Sequence, residues 1–379
     1  STAAMSRIEP LAARAGSRPD PASGALAPPL QLATTFEHTP DAQLPHGFLY
    51  QRYDNPTQQQ AEQALAALEG AVRALLFPTG MAAGATALQA LPPGSHVLLC
   101  DDSYFSFRTL AAEQFPRWGL ECTVVDFTNL DAVRAALRPN TALLWAETPS
   151  NPLLKVSDIA ALADIAHGAG ARLLVDGTFA PPVLQRPLEL GADIVLHSAT
   201  KYLGGHGDVM GGVLCFAADS EHAAACHRLR LLGGATASPF AAWMILRGIR
   251  SLPARMAWHC RNAMQLARCL EAHPRVEKVH YPGLASHPQH AVAVRQMREF
   301  GGMLSLEGAG GREPALAVAS RLRLFTNATS LGSTESLVEH RASIEGSLST
   351  TPAGLLRLSV GLEHPDDLVA DLEQALAGA

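Results

Sequence analysis

Short apolar runs alternate with stretches of helical periodicity between residues 97 and 216. The apolar runs occupy residues 97–100, 122–125, 142–145, 172–175, 194–196 and 213–216. Helical patterns separate most of them, as at residues 159–167, which glycines follow at positions 168 and 170. This alternation predicts an α/β protein with a mainly parallel sheet and helices on both faces.

The pattern changes on both sides of this region. Residues 1–48 are rich in Pro, Gly and Ala and show little periodicity, so we expect an arm that packs on a neighbouring subunit. Beyond residue 235, helical patterns at 239–249, 256–272 and 366–377 accompany strand patterns at 302–306 and 355–360. The chain of 379 residues therefore divides into the arm (1–48), a larger domain (49–235) and a smaller α+β domain (236–379).

Two helix beginnings precede the alternating region. Asn55 is a suitable N-cap and Pro56 suits a first turn, and the apolar face that follows ends at Gly70. A stretch of small residues begins at Gly80, where the backbone N–H groups of a helix start can hold a phosphate. Glycine is also common at helix starts that bind nothing, so this signal is weak by itself.

Polar residues directly follow several of the predicted strands. They are Tyr104 after the first strand, Asn151 after the third, Asp176 and Thr178 after the fourth, and Ser198, Thr200 and Lys201 after the fifth. Ligands of parallel sheets bind at the carboxyl ends of the strands, and these ends share one edge. Each residue alone could cap a turn, but the set together predicts a binding site.

Lys201 lies among small, hydroxylated and glycine residues in the segment 197–208. An amine held in a pocket loses its charge more readily and becomes a nucleophile toward carbonyl carbons. Ser198 and Thr200 offer hydroxyls to phosphate oxygens. A glycine-rich loop that merely turns the chain is the alternative, and this segment alone leaves it open.

Arg357 stands inside an apolar strand pattern, where an unpaired charge would be costly. Either an acidic residue of the protein neutralises it, or the carboxylate of a ligand does so in the bidentate geometry that arginine favours. The polar residues that follow the predicted strands favour the ligand carboxylate.

Composition excludes several other classes. The formal net charge is −6 and no basic run occurs, which argues against a nucleic-acid partner. No apolar run is long enough to span a bilayer, so no membrane association is expected. The six cysteines lack metal-binding spacing, which predicts reduced core or helix residues in a cytoplasmic protein.

Six motifs occur in order along the chain: Tyr50-x-Arg52-x-x-Asn55-Pro56-Thr57, Glu147-x-Pro149-Ser150-Asn151-Pro152, Val175-Asp176-x-Thr178, Ser198-Ala199-Thr200-Lys201-Tyr202, Ser330-Leu331-Gly332 and Arg357-Leu358-Ser359-Val360-Gly361. With them, the chain from about residue 13 onward resembles the Cys/Met-metabolism family of pyridoxal-phosphate enzymes, which includes cystathionine γ-synthase, cystathionine γ- and β-lyases and methionine γ-lyase. The resemblance implies the aspartate-aminotransferase type of fold, fold type I, in a tetramer built from active dimers.

The resemblance also implies the catalytic roles. Lys201 forms a Schiff base with pyridoxal 5'-phosphate and later moves protons. The charge of Asp176 keeps the pyridine nitrogen protonated, so that the ring can accept electrons. Tyr104 stacks on the ring and can act as an acid or a base.

The remaining positions are binding residues by the same resemblance. The cofactor and its phosphate are held by Gly80, Met81, Thr178, Ser198 and Thr200, with Tyr50 and Arg52 reaching over from a neighbouring subunit. The substrate carboxylate and the ring oxygen are oriented by Asn151 and Arg357, with Ser330 close by. For Tyr50 and Arg52, an ordinary exposed loop is the alternative.

The chain departs from the usual family pattern at five positions. The family usually has Asn at Gly177, two small residues at Phe105 and Ser106, and Pro at Arg341. The cysteine typical of methionine γ-lyases is replaced by Ser106. Cystathionine-specific γ enzymes tend to carry a Glu where this chain has Thr329. These departures concern substrate recognition rather than cofactor chemistry.

The resemblance implies a carbon–sulfur lyase or γ-replacement enzyme of trans-sulfuration type that acts on the amino acids cystathionine, O-acylhomoserine or a related sulfur amino acid. Methionine γ-lyase or cystathionine β-lyase activity is the alternative. An aminotransferase or a non-catalytic scaffold has less support, because the motifs match the lyase branch and every cofactor-side position is filled. The sequence leaves open the choice among β-elimination, γ-elimination and replacement.

Overall fold

The computed structural model describes residues 7–345 and 349–378, and within them the strands form two β-sheets. The larger sheet contains β1 (Arg73–Phe77), β2 (His96–Cys100), β3 (Glu121–Val125), β4 (Thr141–Glu147), β5 (Arg172–Asp176), β6 (Ile194–Ser198) and β7 (Gly212–Phe216). Their order across the sheet is β1-β7-β6-β5-β4-β2-β3, and β7 runs opposite to the other strands. The predicted mainly parallel sheet is confirmed.

Helices cover both faces of this sheet and continue into the second half of the chain. They are α1 (Ile8–Ala13), α2 (Pro56–Glu69), α3 (Gly80–Gln89), α4 (Phe105–Trp118), α5 (Leu130–Ala136), α6 (Ile159–Gly168), α7 (Glu221–Gly233), α8 (Pro239–Ile249), α9 (Leu252–Glu271), α10 (His290–Gln296), α11 (Arg312–Arg321), α12 (Arg341–Glu345) and α13 (Pro365–Ala377). A short 3₁₀ helix occupies Pro187–Leu190.

The near-continuous apolar character of the central strands follows from burial on both faces. In β4, Leu143 and Trp145 pack with α3, α4 and α7, whereas Leu144 and Ala146 pack with α5 and α6 on the opposite face. Each predicted apolar run lies in a strand of this sheet. Strand β1 was not among the predicted strands, although its residues 74–77 form an apolar run of similar length.

The smaller sheet lies in the carboxyl-terminal part of the chain. Its strands are β8 (Val276–His280), β9 (Met303–Gly308), β10 (Thr326–Asn327), β11 (Leu337–His340) and β12 (Leu355–Ser359). Their order is β10-β11-β12-β9-β8, and the described pairs are antiparallel except β10 with β11. Helices α9, α11 and α13 bury their apolar faces against this sheet. The domain limits at 48/49 and 235/236 stay predictions.

The amino-terminal segment differs in part from the expected arm. Helix α1 lies within it, and Ile8 and Ala12 are buried against Leu65 of α2 and Met256 of α9 in the same chain. Most of the segment beyond α1 is extended or turned, and Leu26 is 62% exposed. Its contact with a neighbouring subunit stays a prediction, and residues 1–6 lie outside the described part.

Two further predictions concern single residue types. The six cysteines are all free, and only Cys269 is exposed, as expected for reduced core and helix residues. Across residues 7–345 and 349–378, none of the helices is both long enough and apolar enough to cross a membrane.

Candidate active site

A cavity of about 320 Å³ opens beside the carboxyl ends of β4, β5 and β6, where α3 begins and the smaller sheet approaches. The structure brings most of the predicted site residues together in its wall: Gly80, Met81, Tyr104, Asn151, Asp176, Thr178, Ser198, Thr200, Lys201, Ser330 and Arg357. They come from the ends of four strands, the start of α3, the loop before β11 and the interior of β12. Their convergence on one cavity is what the polar edge of the sheet predicts.

Lys201 is the amine of this cavity. Its Nζ donates a 2.8 Å hydrogen bond to the Oγ of Ser330. Burial, together with the positive charges of Arg357 and Arg341, lowers the pKa of Lys201 to about 8, although Glu339 opposes the shift. About a tenth of the amine is therefore neutral at pH 7, far more than for an exposed lysine, and the neutral form is the one that attacks a carbonyl carbon.

Ser330 holds its hydroxyl toward Lys201 from an unusual backbone conformation. Its φ is +109°, in a region that residues other than glycine rarely adopt. Two residues further along, Gly332 has φ +77°, and a Cβ there would lie 2.9 Å from the backbone nitrogen of Tyr202. The loop before β11 is therefore shaped to approach the segment that carries Lys201.

Asp176 ends β5 and is almost fully buried. Its Oδ1 accepts hydrogen bonds from the backbone N–H of Thr178 (3.0 Å) and from the Thr178 hydroxyl (2.6 Å). Burial raises the pKa of Asp176, while these hydrogen bonds act in the opposite direction. Because both of these bonds go to Oδ1, the other carboxylate oxygen is left for a donor in the cavity.

Glu147 stands beside Asp176 because the two residues are register partners on β4 and β5. Its Oε2 accepts a 2.7 Å hydrogen bond from the backbone N–H of Tyr104. Burial, together with the neighbouring Asp176, raises the pKa of Glu147 well above its usual value. We therefore expect Asp176 to carry the negative charge of this pair while Glu147 keeps its proton.

The start of α3 forms one end of the cavity. The hydroxyl of Thr79 caps the helix by accepting from the N–H of Ala82 at 3.0 Å. The preceding N–H groups of the first turn, at Gly80 and Met81, have no acceptor within the helix. A Cβ on Gly80 would lie 3.0 Å from the Cβ of Ser198, so glycine lets this helix start approach β6.

The hydroxyls of the segment before Lys201 differ in their surroundings. The Oγ1 of Thr200 donates to the carbonyl of Gly211 at 3.3 Å and accepts from its N–H at 3.1 Å. The backbone N–H of Ser198 donates to the Thr178 hydroxyl at 2.9 Å. Ser198 therefore keeps its hydroxyl for other partners, whereas Thr200 also braces the loop.

Arg357 lies at the other end of the cavity, on β12. Its Nη1 donates to the Oδ1 of Asn151 at 2.9 Å, and its Nη2 donates to the Oε2 of Glu339 at 2.9 Å. Glu339 and Arg357 are opposed across the antiparallel pair β11 and β12. Of the two alternatives for this buried arginine, the protein thus supplies an acid, and the ligand carboxylate stays a prediction.

Tyr50 and Arg52 lie away from this cavity in their own chain. Arg52 donates from Nη1 to the carbonyl of Leu231 at 2.8 Å and stacks on the ring of Tyr53. Tyr50 is 43% exposed. Their predicted role at the phosphate requires a neighbouring subunit and stays a prediction.

The structure shows the surroundings of two residues that depart from the usual family pattern, Gly177 and Phe105. A Cβ on Gly177 would lie 2.9 Å from the ring of His197, whose Nε2 contacts Glu69 at 2.5 Å. A larger residue at 177 would therefore press on this buried pair. Phe105 provides a ring over which the guanidinium of Arg341 lies, 5.4 Å from the ring centroid.

Sequence reasoning assigned no role to several residues of the site. Glu147 belonged to a quoted motif and ends a strand, which was a usable signal. Glu339 lies two residues before Arg341, but only the register of β11 on β12 reveals that it faces Arg357. The apolar wall formed by Phe107, Phe179 and Met210 had no signal in the sequence pattern.

Comparisons with known proteins identify the family of this chain. A family model described as "Cys/Met metabolism PLP-dependent enzyme" matches residues 9–377. A cystathionine γ-synthase of Mycobacterium tuberculosis is 47% identical over 371 residues, which cover 96% of this chain and 95% of that protein. A cystathionine β-lyase of Coxiella burnetii is 45% identical over 381 residues, which cover 98% of each.

Among solved structures, the cystathionine γ-synthase of Xanthomonas oryzae in complex with aminoacrylate and cysteine matches with a TM-score of 0.94 and 39% identity, covering 98% of this chain and 97% of that chain. This likeness confirms the predicted fold type I architecture. The chain belongs to the Cys/Met metabolism family of PLP-dependent enzymes.

Proposed function

We propose that this protein is a carbon–sulfur lyase or γ-replacement enzyme of trans-sulfuration type. Its substrate is cystathionine, an O-acylhomoserine or a related sulfur amino acid. The observation that carries the proposal is the placement of the Lys201 amine, the Asp176 carboxylate and the Arg357 guanidinium in the wall of one cavity. Relatives named cystathionine γ-synthase and cystathionine β-lyase support it.

The cavity fits pyridoxal 5'-phosphate. The start of α3 and the hydroxyl of Ser198 suit its phosphate, since a Cβ on Gly80 would reach Ser198. The carboxylate of Asp176 suits its ring nitrogen, and Lys201 suits its aldehyde carbon. When bound, the cofactor supplies a conjugated ring that accepts the electrons released at the α-carbon of an amino acid.

The protein's own residues then perform three tasks. Arg357 and Asn151 bind and orient the α-carboxylate of the substrate through charge-assisted hydrogen bonds. Lys201 takes the α-proton on Nζ and returns it to a neighbouring carbon, and Ser330 orients that nitrogen. Phe107 and Phe179 exclude water from the wall of the cavity.

We further propose that the active form is a homo-oligomer, a tetramer built from active dimers, in the cytoplasm. Tyr50 and Arg52 would complete the phosphate site of a neighbouring subunit. The exposure of Leu26 and Leu32, each 62% exposed in the amino-terminal segment, favours such packing.

A substrate panel tests the proposed activity. The purified, cofactor-loaded protein is incubated with L-cystathionine, O-acetyl- and O-succinyl-L-homoserine and L-methionine, with and without L-cysteine, and the products are identified by mass spectrometry. We expect a 2-oxo acid or a new thioether from at least one substrate, and none from a Lys201→Ala variant. Wild-type protein that gives neither product with any substrate would refute the proposal.

A further inference from the structure

Two arginines in the wall of the cavity, Arg341 and Arg357, belong to a largely buried group of charges. We call it the arginine cluster: Arg108, Arg341, Arg357, Glu339 and Glu345. Arg341 is its centre. It lies in the cavity wall with a side chain that is 1% exposed. It donates to Glu339 at 2.6 Å and to Glu345 at 3.1 Å.

The cluster has more positive than negative charge. Glu339 is shared by Arg341 and Arg357, and Glu345 is shared by Arg341 and, at 3.8 Å, by Arg108. Three guanidinium groups therefore share two carboxylates. At this degree of burial, a net charge of one unit is only weakly screened by water.

The donors of the cluster are also incompletely used. The Nε of Arg341 and the Nε of Arg108 are buried and have no hydrogen-bond partner within residues 7–345 and 349–378. A buried N–H without an acceptor is costly, and a charged one more so. An acceptor from a bound molecule would relieve this cost.

The acids of the cluster, by contrast, have no oxygen left over for a basic ligand. The Oε1 of Glu339 accepts from the hydroxyl of Thr329 at 2.6 Å, and its Oε2 accepts from Arg341 and Arg357. Thr329 itself lines the cavity and carries no charge. A substrate side chain that ends in an ammonium group would meet positive charge here without a free carboxylate.

We propose that Arg341 makes the distal part of the cavity selective for substrate amino acids whose side chain ends in a carboxylate. This inference rests on the proposed function, in which Arg357 takes the α-carboxylate. The α-carboxylate on Arg357 balances the excess charge of the cluster, but the Nε groups of Arg341 and Arg108 still lack an acceptor within the described residues. A terminal carboxylate supplies an acceptor, whereas a terminal methyl group supplies none and a terminal ammonium group adds a positive charge.

Three amino acids with six-carbon chains and no leaving group test the selectivity without any turnover. L-2-aminoadipate, L-norleucine and L-lysine carry a terminal carboxylate, methyl group and ammonium group, respectively. Their dissociation constants from the cofactor-loaded protein are measured by calorimetry. We expect aminoadipate to bind about tenfold more tightly than norleucine, and lysine to bind most weakly.

Two variants assign this preference to the cluster. Arg341→Gln is expected to reduce the preference for aminoadipate to within about threefold of norleucine. Thr329→Glu adds a carboxylate to the cavity wall beside Glu339 and is expected to shift the preference toward lysine, which tests the idea even if Arg341→Gln does not fold. Arg134→Gln removes an exposed guanidinium far from the cavity and serves as the matched control.

Equal binding of aminoadipate and lysine by the wild type would overturn the inference, as would an unchanged preference in folded Arg341→Gln or in Thr329→Glu. These outcomes are separate from the substrate panel. Protein that prefers aminoadipate but eliminates no leaving group would refute the proposed activity and keep the inference. Active protein without the preference would refute the inference and keep the proposed activity.

Discussion

The two ends of the cavity are built in different ways. The end at α3, β5 and β6 uses strand ends, a helix start and one glycine contact, and its residues match the family motifs closely. The end at β11 and β12 uses a network of buried ions, and several of the departures from the family pattern lie there, including Thr329 and Arg341. We therefore expect the first end to carry the chemistry that the family shares and the second end to determine the substrate.

The two ends also differ in how their charged side chains are held in place. Asp176 is fixed by hydrogen bonds from Thr178, two residues further along the chain. Arg357 is fixed by Asn151 and Glu339, which lie far from it in sequence and close in space. We expect the local hydrogen bonds of Asp176 to persist when distant residues are substituted. Substitution of one member of the Arg357 network should instead alter the positions of the others.

Asp176→Asn is expected to have the largest effect and to act at the cofactor end alone. The amide cannot supply the negative charge that the ring nitrogen requires, so kcat should fall on the order of 10³-fold. Steady-state kinetics on the best substrate of the panel measure this. Asp131→Asn, at an exposed position, is the control. A loss confined to KM would contradict the separation of the two ends.

Glu339→Gln is expected to act through stability at the substrate end. Arg341 and Arg357 lose their shared carboxylate, and leaving buried charges unpaired should lower the free energy of unfolding by about 3 kcal/mol. Urea denaturation measures the change against Glu313→Gln, an exposed ion-pair control. A variant as stable as the wild type would show that water or another group already satisfies these arginines.

The smallest expected effect is a pH dependence at Lys201, which lies between the two ends. Burial, Arg357 and Arg341 lower the pKa of Lys201 to about 8, so the neutral amine accumulates as pH rises through that value. The rate at which cofactor-free protein captures pyridoxal phosphate should rise roughly tenfold between about pH 7 and 9. Stopped-flow absorbance measures this rate.

Glu339→Gln sharpens the same measurement, because Glu339 raises the pKa of Lys201. Without that carboxylate, the midpoint of the capture rate should move to lower pH. A midpoint that stays in place would mean that the substrate end does not influence the nucleophile electrostatically.

The sequence predicts the cofactor end well for a physical reason. Strand periodicity locates the strand ends, and the residues that follow them must meet at one edge of a parallel sheet, as Asp176, Ser198 and Lys201 do. Helix α2 follows its cap and stop residues in the same way, from Asn55 to Gly70. These features depend on interactions between residues that are near in the chain.

The substrate end is less predictable because antiparallel pairing determines it. No local pattern states that Glu339 opposes Arg357, since that depends on the register of β11 against β12. Helix α7 was missed for a related reason. Charged and His residues interrupt α7, so only packing against neighbouring elements reveals it. Residues 74–77 of β1 are an apolar run like those of the predicted strands, and this usable signal was overlooked.

The backbone at Ser330 limits how this enzyme can change. A side chain in the left-handed region costs about 1–3 kcal/mol, which glycine would not incur. Glycine, however, would remove the hydroxyl that hydrogen-bonds to the Lys201 amine. Bulkier residues without a hydroxyl would keep the conformational cost and lose that hydrogen bond as well. Laboratory evolution that randomises the cavity should therefore find position 330 nearly immutable, while position 329 beside it accepts new side chains and with them new substrates.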